Sequence, residues 1–261
     1  MRPRKELSPA TPSKVPVTRL GGAFAEALRA STPARVLVGR AGLAQPTHVQ
    51  LALREDHAAA LDAVWSELDI HGALGPDLVA RLELFETKTL VGDRAEYLRR
   101  PDLGRRLDER SRAEIRRRCR TGCDLQVVIG DGLSAAAVAA QVPELLGLLL
   151  DGALERGWSV GQVFAVRGCR VGVLNEVGDL LSPVVAVLLL GERPGLLTAE
   201  SLSAYMAYRP LPGHTDAQRN LVCNIHAAGI RPHRAAGRIL ALAERMRELG
   251  CSGTAVKEEA T

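Results

Sequence analysis

The sequence predicts an α/β fold: a Rossmann-like parallel sheet with flanking helices, preceded by a mostly helical N-terminal region. Three observations carry that prediction. Short apolar runs, Leu125–Ile129, Val163–Val166 and Val184–Leu190, recur in the second half of the chain. Stretches with helical spacing of apolar residues separate and follow them. Each run also meets a glycine, at Gly130, Gly168 and Gly191, followed by polar or charged residues. Continuous apolar strands alternating with helices indicate parallel strands buried on both faces.

The elements follow in order. Residues 1–20 are rich in Pro, Ser and basic residues without an apolar segment, and read as a disordered leader, not a secretory signal. Residues 21–105 form the mostly helical region. It holds a short helix at 22–30, a brief apolar run Arg35–Val38 closed by Gly39-Arg40-Ala41-Gly42, and a longer helix starting at Pro46. Residues 106–253 form the Rossmann-like domain, and 254–261 a tail. Near the start of the domain, Leu107, Ser111, Ile115 and Cys119 recur every four residues, so one side packs while Arg116–Arg118 face water. The segment from Leu133 to Arg156 is helical but divided at Pro143, which starts a second helix at its first turn. A final helix carries Ala236, Ile239, Leu240, Ala243 and Met246 at helical spacing.

Composition limits the function. The chain has 261 residues, 46% of them apolar, which suffices for a substantial core, but only 3% are aromatic. The core must therefore be built from Ala, Leu and Val. The net charge of +4 is mild. Eleven arginines against five acids crowd the stretch from Arg94 to Arg120, with Tyr97 the single aromatic among them, too few to stack bases, so a solvated face or subunit contact is preferred over nucleic acid. Five scattered cysteines, at 119, 123, 169, 223 and 251, fit a reducing cytoplasm better than a disulfide framework. Cys119 and Cys123 have no second pair or neighbouring His to make a zinc site. No uninterrupted apolar stretch is long enough for a membrane span.

Ligands of open α/β sheets sit beyond the carboxyl ends of the strands. The loops at 130–134, 168–171 and 191–195 are therefore the candidate crevice. Gly130-Asp131-Gly132-Leu133-Ser134-Ala135 has the form of a dinucleotide fingerprint, which makes an NAD(P)-dependent oxidoreductase an alternative. Against it, the next strand ends Ala165-Val166-Arg167-Gly168 without the ribose-holding acid, and Asp131 would crowd a pyrophosphate. Asp69-Ile70-His71 begins like a cobalt-ligating D-x-H-x-x-G signature but lacks the final Gly. Gly191-Glu192-Arg193-Pro194-Gly195 places an acceptor and a donor in a stiff strand-end loop. Nothing nominates a catalytic residue or a metal site.

An ordered run of strings resembles the ethanolamine ammonia-lyase light-chain family. It comprises Val38-Gly39-Arg40-Ala41-Gly42, Asp56-His57-Ala58, and the stretch from Tyr97-Leu98-Arg99-Arg100-Pro101-Asp102 to Leu107. It continues through the stretch from Asp124 to Ser134, Gly191 to Leu196, Glu200 to Tyr205, and Asn224-Ile225-His226. The resemblance implies a small subunit that docks on a barrel-shaped large subunit with adenosylcobalamin between them. Substrate and catalytic residues would belong to the large subunit, and the cofactor would keep its own benzimidazole on cobalt. It further implies cofactor contacts at Val171, Glu192 and Leu221, the last standing where the family usually has Cys, with Cys223 two residues on. Gly130 stands where the family commonly has Ser. A cytoplasmic setting follows, and the leader is short beside those that package family members into a bacterial microcompartment.

Overall fold

The computed structural model describes residues 22–32 and 34–258. The expected leader at 1–20 lies outside them, as does the end of the tail. The described residues fall into two units, divided between Pro46 and Thr47. In the first, α1 (Ala23–Ser31) is followed by a loop that Arg29 ties down, its Nη2 donating to the Leu37 carbonyl at 2.6 Å. Ala41 and Ala44 then exchange backbone hydrogen bonds around Gly42.

The second unit opens with α2 (Thr47–Trp65), α3 (Ile70–Leu74) and α4 (Pro76–Arg81), followed by the short strand β1 (Phe85–Lys88). Helices α5 (Arg94–Arg99) and α6 (Glu109–Arg118) come next. Side-chain caps explain where several begin. Asp69, Asp93 and Asp108 each accept a backbone N–H of the first turn, satisfying a donor the helix cannot. On α6, Ser111 and Ile115 are buried while Arg116–Arg118 are exposed, as the four-residue spacing predicts.

The βα alternation follows: β2 (Leu125–Gly130), α7 (Ala135–Glu155), β3 (Phe164–Arg167), α8 (Val173–Leu181) and β4 (Val185–Gly191). Strands β5 (Leu202–Tyr208) and β6 (Asn220–Ile225) and helix α9 (Pro232–Leu249) complete the chain. The sheet order is β1-β3-β2-β4-β5-β6. The first four strands are parallel, as expected, but β5 pairs antiparallel with both β4 and β6, so the sheet is mixed. The reason lies in the connections. Parallel neighbours need a crossover, here α7 and α8, whereas 192–201 joins β4 to β5 without a helix and returns the chain antiparallel.

Residues alternate between two cores. Val127, Ile129, Val187 and Leu189 face α7 and α9, whereas Val128, Phe164, Val166 and Leu188 face α6 and α8. Burial of each such side chain contributes roughly 1.5–3 kcal/mol. Among the described residues, α7 alone is long and apolar enough by composition to cross a membrane. Its Val138, Val142, Leu145 and Leu149 instead lie in the protein core. The division expected at Pro143 does not occur: α7 is continuous through it. Pro removes one helical N–H and crowds the preceding turn. Fully buried Val142, Leu145 and Leu146 beside it hold the helix together.

Candidate functional site

The chain steps from β2 to β3 on one side, then crosses through α8 to β4 on the other. That reversal brings the three glycine-marked strand ends side by side, in the order β3-β2-β4. They are the loops named from the sequence.

Asp131 ties the first two together. Its Oδ2 accepts from the Gly168 amide and its Oδ1 from the Cys169 amide, each at 2.9 Å. Burial raises its pKa above the ordinary carboxylate value, opposed by those two amides and by Arg94, whose Nη1 lies 3.7 Å away. The β3 loop is held a second time by Tyr97. Its hydroxyl donates to the Cys169 carbonyl at 2.9 Å, and the Arg94 and Arg170 guanidiniums both lie over its ring, at 4.6 and 3.9 Å. Arg170 Nη2 donates to the Tyr97 carbonyl at 2.9 Å. Burial raises the Tyr97 pKa, so the hydroxyl remains a donor.

The β2 and β4 loops are in direct contact. Leu133 N donates to the Gly191 carbonyl at 3.0 Å. Gly132 has φ +56°, and a Cβ there would stand 2.2 Å from the Gly191 oxygen, so only Gly fits. At the start of α7, Ser134 Oγ accepts from Ala137 N at 3.1 Å and donates to the Ala199 carbonyl at 2.5 Å. These contacts occupy the place a dinucleotide pyrophosphate would take at a helix N-terminus.

Glu192 closes the far side. Its Oε2 accepts from Ser201 Oγ at 2.7 Å, while its Oε1 accepts from Ser203 Oγ at 2.5 Å and Asn224 N at 3.0 Å. One carboxylate thereby joins the end of β4 to β5 and β6. It remains half-buried, while Arg193 is exposed.

Val171 is half-buried at the foot of α8 and packs against the second core. It lines a cavity of about 570 Å³ with Arg105, Arg170, Asn175 and Arg219. Tyr205 packs against the same core. Leu221 pairs with Tyr205 in the β5–β6 register and shares its face. That end of the sheet is open: Leu221 is 44% exposed, and Tyr205 and Cys223 are half-buried. Val171 and Leu221 thus share one face, with Glu192 bonded to Ser203 of that same face.

Other sequence signals have local explanations. His71 is exposed, and its backbone N–H is capped by Asp69 at 3.1 Å. Several arginines of the basic stretch are engaged within the chain. Arg112 Nη1 meets Glu176 at 2.8 Å, Arg117 meets Glu114 at 2.6 Å, and Arg118 lies 4.5 Å over the Phe85 ring. The clasp residues Arg94, Tyr97, Arg170, Ser201 and Ser203 were not singled out in the sequence. Tyr97, Ser201 and Ser203 lie within the family-like strings, but nothing local announces their bonds.

Fold and site together define an α/β protein with tied strand-end loops beside an open sheet face. The comparisons make the class particular. The sequence model described as ethanolamine ammonia-lyase light chain matches residues 23–257. This chain belongs to that family. It is 42% identical over 233 residues to the ethanolamine ammonia-lyase small subunit of Bradyrhizobium diazoefficiens, covering 89% of each chain. With the Rhodopseudomonas palustris small subunit it shares 43% identity over 232 residues, again 89% of each. The Clostridium acetobutylicum small subunit is 40% identical over 203 residues, covering 78% of this chain and 81% of that one.

Proposed function

We propose that this chain is the cofactor-clamping subunit of an adenosylcobalamin-dependent ethanolamine ammonia-lyase, acting with a large subunit that carries the catalytic residues. The observation behind the reading is that Val171 and Leu221 lie on one face of the sheet, with Glu192 bonded to Ser203 of that face, in a chain of this family. The residues present suit a corrin, which is a flat apolar plane rimmed with carboxamides. Leu221 and Val171 offer apolar surface, and Glu192 offers a carboxylate whose Oε2 accepts one hydrogen bond within the chain and has room for another.

When bound, adenosylcobalamin supplies the cleavable cobalt–carbon bond that starts radical conversion of ethanolamine to acetaldehyde and ammonia. The residues of this chain supply placement. Val171 and Leu221 lie against the corrin. Glu192 accepts from a corrin amide or the nucleotide ribose, and Ser201 and Ser203 fix the direction of its carboxylate. Asp131 and Tyr97 hold the loop that leads into Val171, so its apolar surface is in place before the cofactor arrives. Leu221 keeps a packing contact at the position usually held by Cys, without a thiol. The five free thiols suit a cytoplasmic setting.

The test is reconstitution. With ethanolamine and adenosylcobalamin, the purified chain yields no acetaldehyde, and adding the large subunit of the same enzyme restores production. Turnover by the chain alone would overturn the assignment.

A further inference from the structure

We infer that a second cavity, at the carboxyl ends of β1 and β3, is an oxyanion-binding site with Arg94 as its buried donor. The cavity is about 300 Å³ and is lined by Glu67, Lys88, Asp93, Arg94, Tyr97 and Asp131 among others. It shares no lining residue with the cavity beside Val171, so the inference does not depend on the cofactor reading.

The donor is specific. The Arg94 side chain is only 9% exposed. Its Nε donates to the Val64 carbonyl at 2.5 Å and its Nη1 to the Gly132 carbonyl at 3.0 Å. Its Nη2 is buried and has no hydrogen-bond partner among the described residues. Guanidinium keeps its charge in proteins, so an unmet N–H here cannot be relieved by deprotonation. Asp131 supplies counter-charge at 3.7 Å, but its two oxygens already accept from Gly168 and Cys169.

The neighbouring carboxylates are engaged as well. Asp93 accepts from Glu96 N at 2.7 Å, and Glu67 holds Arg167 Nη2 at 2.6 Å. Lys88 makes only a loose pair, 3.7 Å from Asp108, and is 64% exposed. Each lining carboxylate thus already has a donor, while the Arg94 Nη2 has no partner and the exposed Lys88 ammonium stands at the cavity with only a loose pair. An apolar guest would leave Nη2 unmet, and a cation would face the Arg94 charge. The complementary ligand is a compact group with negative oxygens, of the phosphate or carboxylate class. It can arrive as a free ion or on a side chain of a partner subunit.

Calorimetric titration of inorganic phosphate, at constant ionic strength, into the full chain and into its complex with the large subunit tests the site. Saturable binding to the full chain is expected. It should weaken about tenfold or more in Arg94→Gln, the ordinary effect of losing a charge-assisted hydrogen bond. A smaller loss is expected in Lys88→Glu, whose exposed position spares the fold if Arg94→Gln does not fold. Binding by the complex as well identifies a free anion as the occupant. Binding by the free chain alone identifies a partner's oxyanion group as the occupant. No saturable binding to the free chain, or equal binding by the parent chain and Lys88→Glu, overturns the inference.

Discussion

Asp131 and Glu192 stand at the carboxyl ends of adjacent strands, and each ties its own loop to its neighbours, yet their surroundings differ. Asp131 is buried and bonded to two backbone amides whose positions the fold fixes. Glu192 is half-buried and bonded mainly to the hydroxyls of Ser201 and Ser203, which are rotatable where backbone amides are not. The first carboxylate serves the fold, and the second is the one we propose to serve a guest as well. Substitutions should separate these roles, because a structural carboxylate shows in unfolding and a contacting one in ligand retention.

The largest effect belongs to Asp131→Ala. It strands two amides and leaves buried Arg94 without counter-charge, and removing one partner of such a pair costs about 3–5 kcal/mol. Urea unfolding of the full chain measures this, and a loss under about 1 kcal/mol would refute the structural role. Burial also sets a pH dependence. Because the folded pKa is raised above 3.8, the unfolded chain ionises first, and this group costs stability as pH rises above 3.8 toward its raised value. Asp131→Asn, which cannot ionise, should flatten that fall in the urea midpoint.

Glu192→Ala should show the opposite division. Its unfolding cost is about 1–3 kcal/mol, since the buried Ser201 and Ser203 hydroxyls lose their acceptor but no buried charge is left unpaired. Cobalamin retention by the assembled enzyme should weaken by about 1.5–3 kcal/mol, or roughly ten- to a hundredfold. Equilibrium dialysis of the complex measures it, and unchanged retention would remove Glu192 from the site.

Asp124 stands at the other end of β2 and titrates in the opposite sense. Ser159 and Arg247 hydrogen bonds hold its pKa down at about 2. Its contribution is therefore full above 3.8 and is lost as pH falls from 3.8 to about 2. The group is partly exposed, so screening leaves about 1 kcal/mol. Asp124→Asn should remove that acid-limb loss in urea unfolding, and an unaltered acid limb would dismiss the bond network as its source.

The parallel core was legible because β2 and β4 are buried on both faces and therefore read as apolar runs, broken in β2 only by Gln126. The same criterion passed over β5 and β6. Ser203 and Tyr205 interrupt the first, and Asn220, Cys223 and Asn224 the second, because one face of each remains partly open. β1 is four residues long and alternates buried with exposed, too little to register. At the site, a glycine after a strand located the loops, but the side chains that tie them come from distant segments. Tyr97 and Cys169, for instance, meet across 72 positions of sequence. Asp131 was read as an obstacle to pyrophosphate, and its carboxylate in fact turns onto the β3 loop.

Leu221 gives the finest discrimination between a structural and a contacting residue. At 44% exposure, Leu221→Ser should change folding stability by no more than about 0.5 kcal/mol, the usual range for surface sites. Its register opposite Tyr205 puts it on the open face, where a bound corrin would cover it. Loss of that apolar contact should lower cobalamin retention by about 1 kcal/mol, a severalfold change. Leu221→Cys should preserve retention, because a thiol of smaller volume still packs as a hydrophobe. Dialysis of both variants in the assembled enzyme decides the matter. If Leu221→Ser retains cofactor as the parent does, the open end of β6 is not a cofactor surface, and the contact set shrinks to Val171 and Glu192.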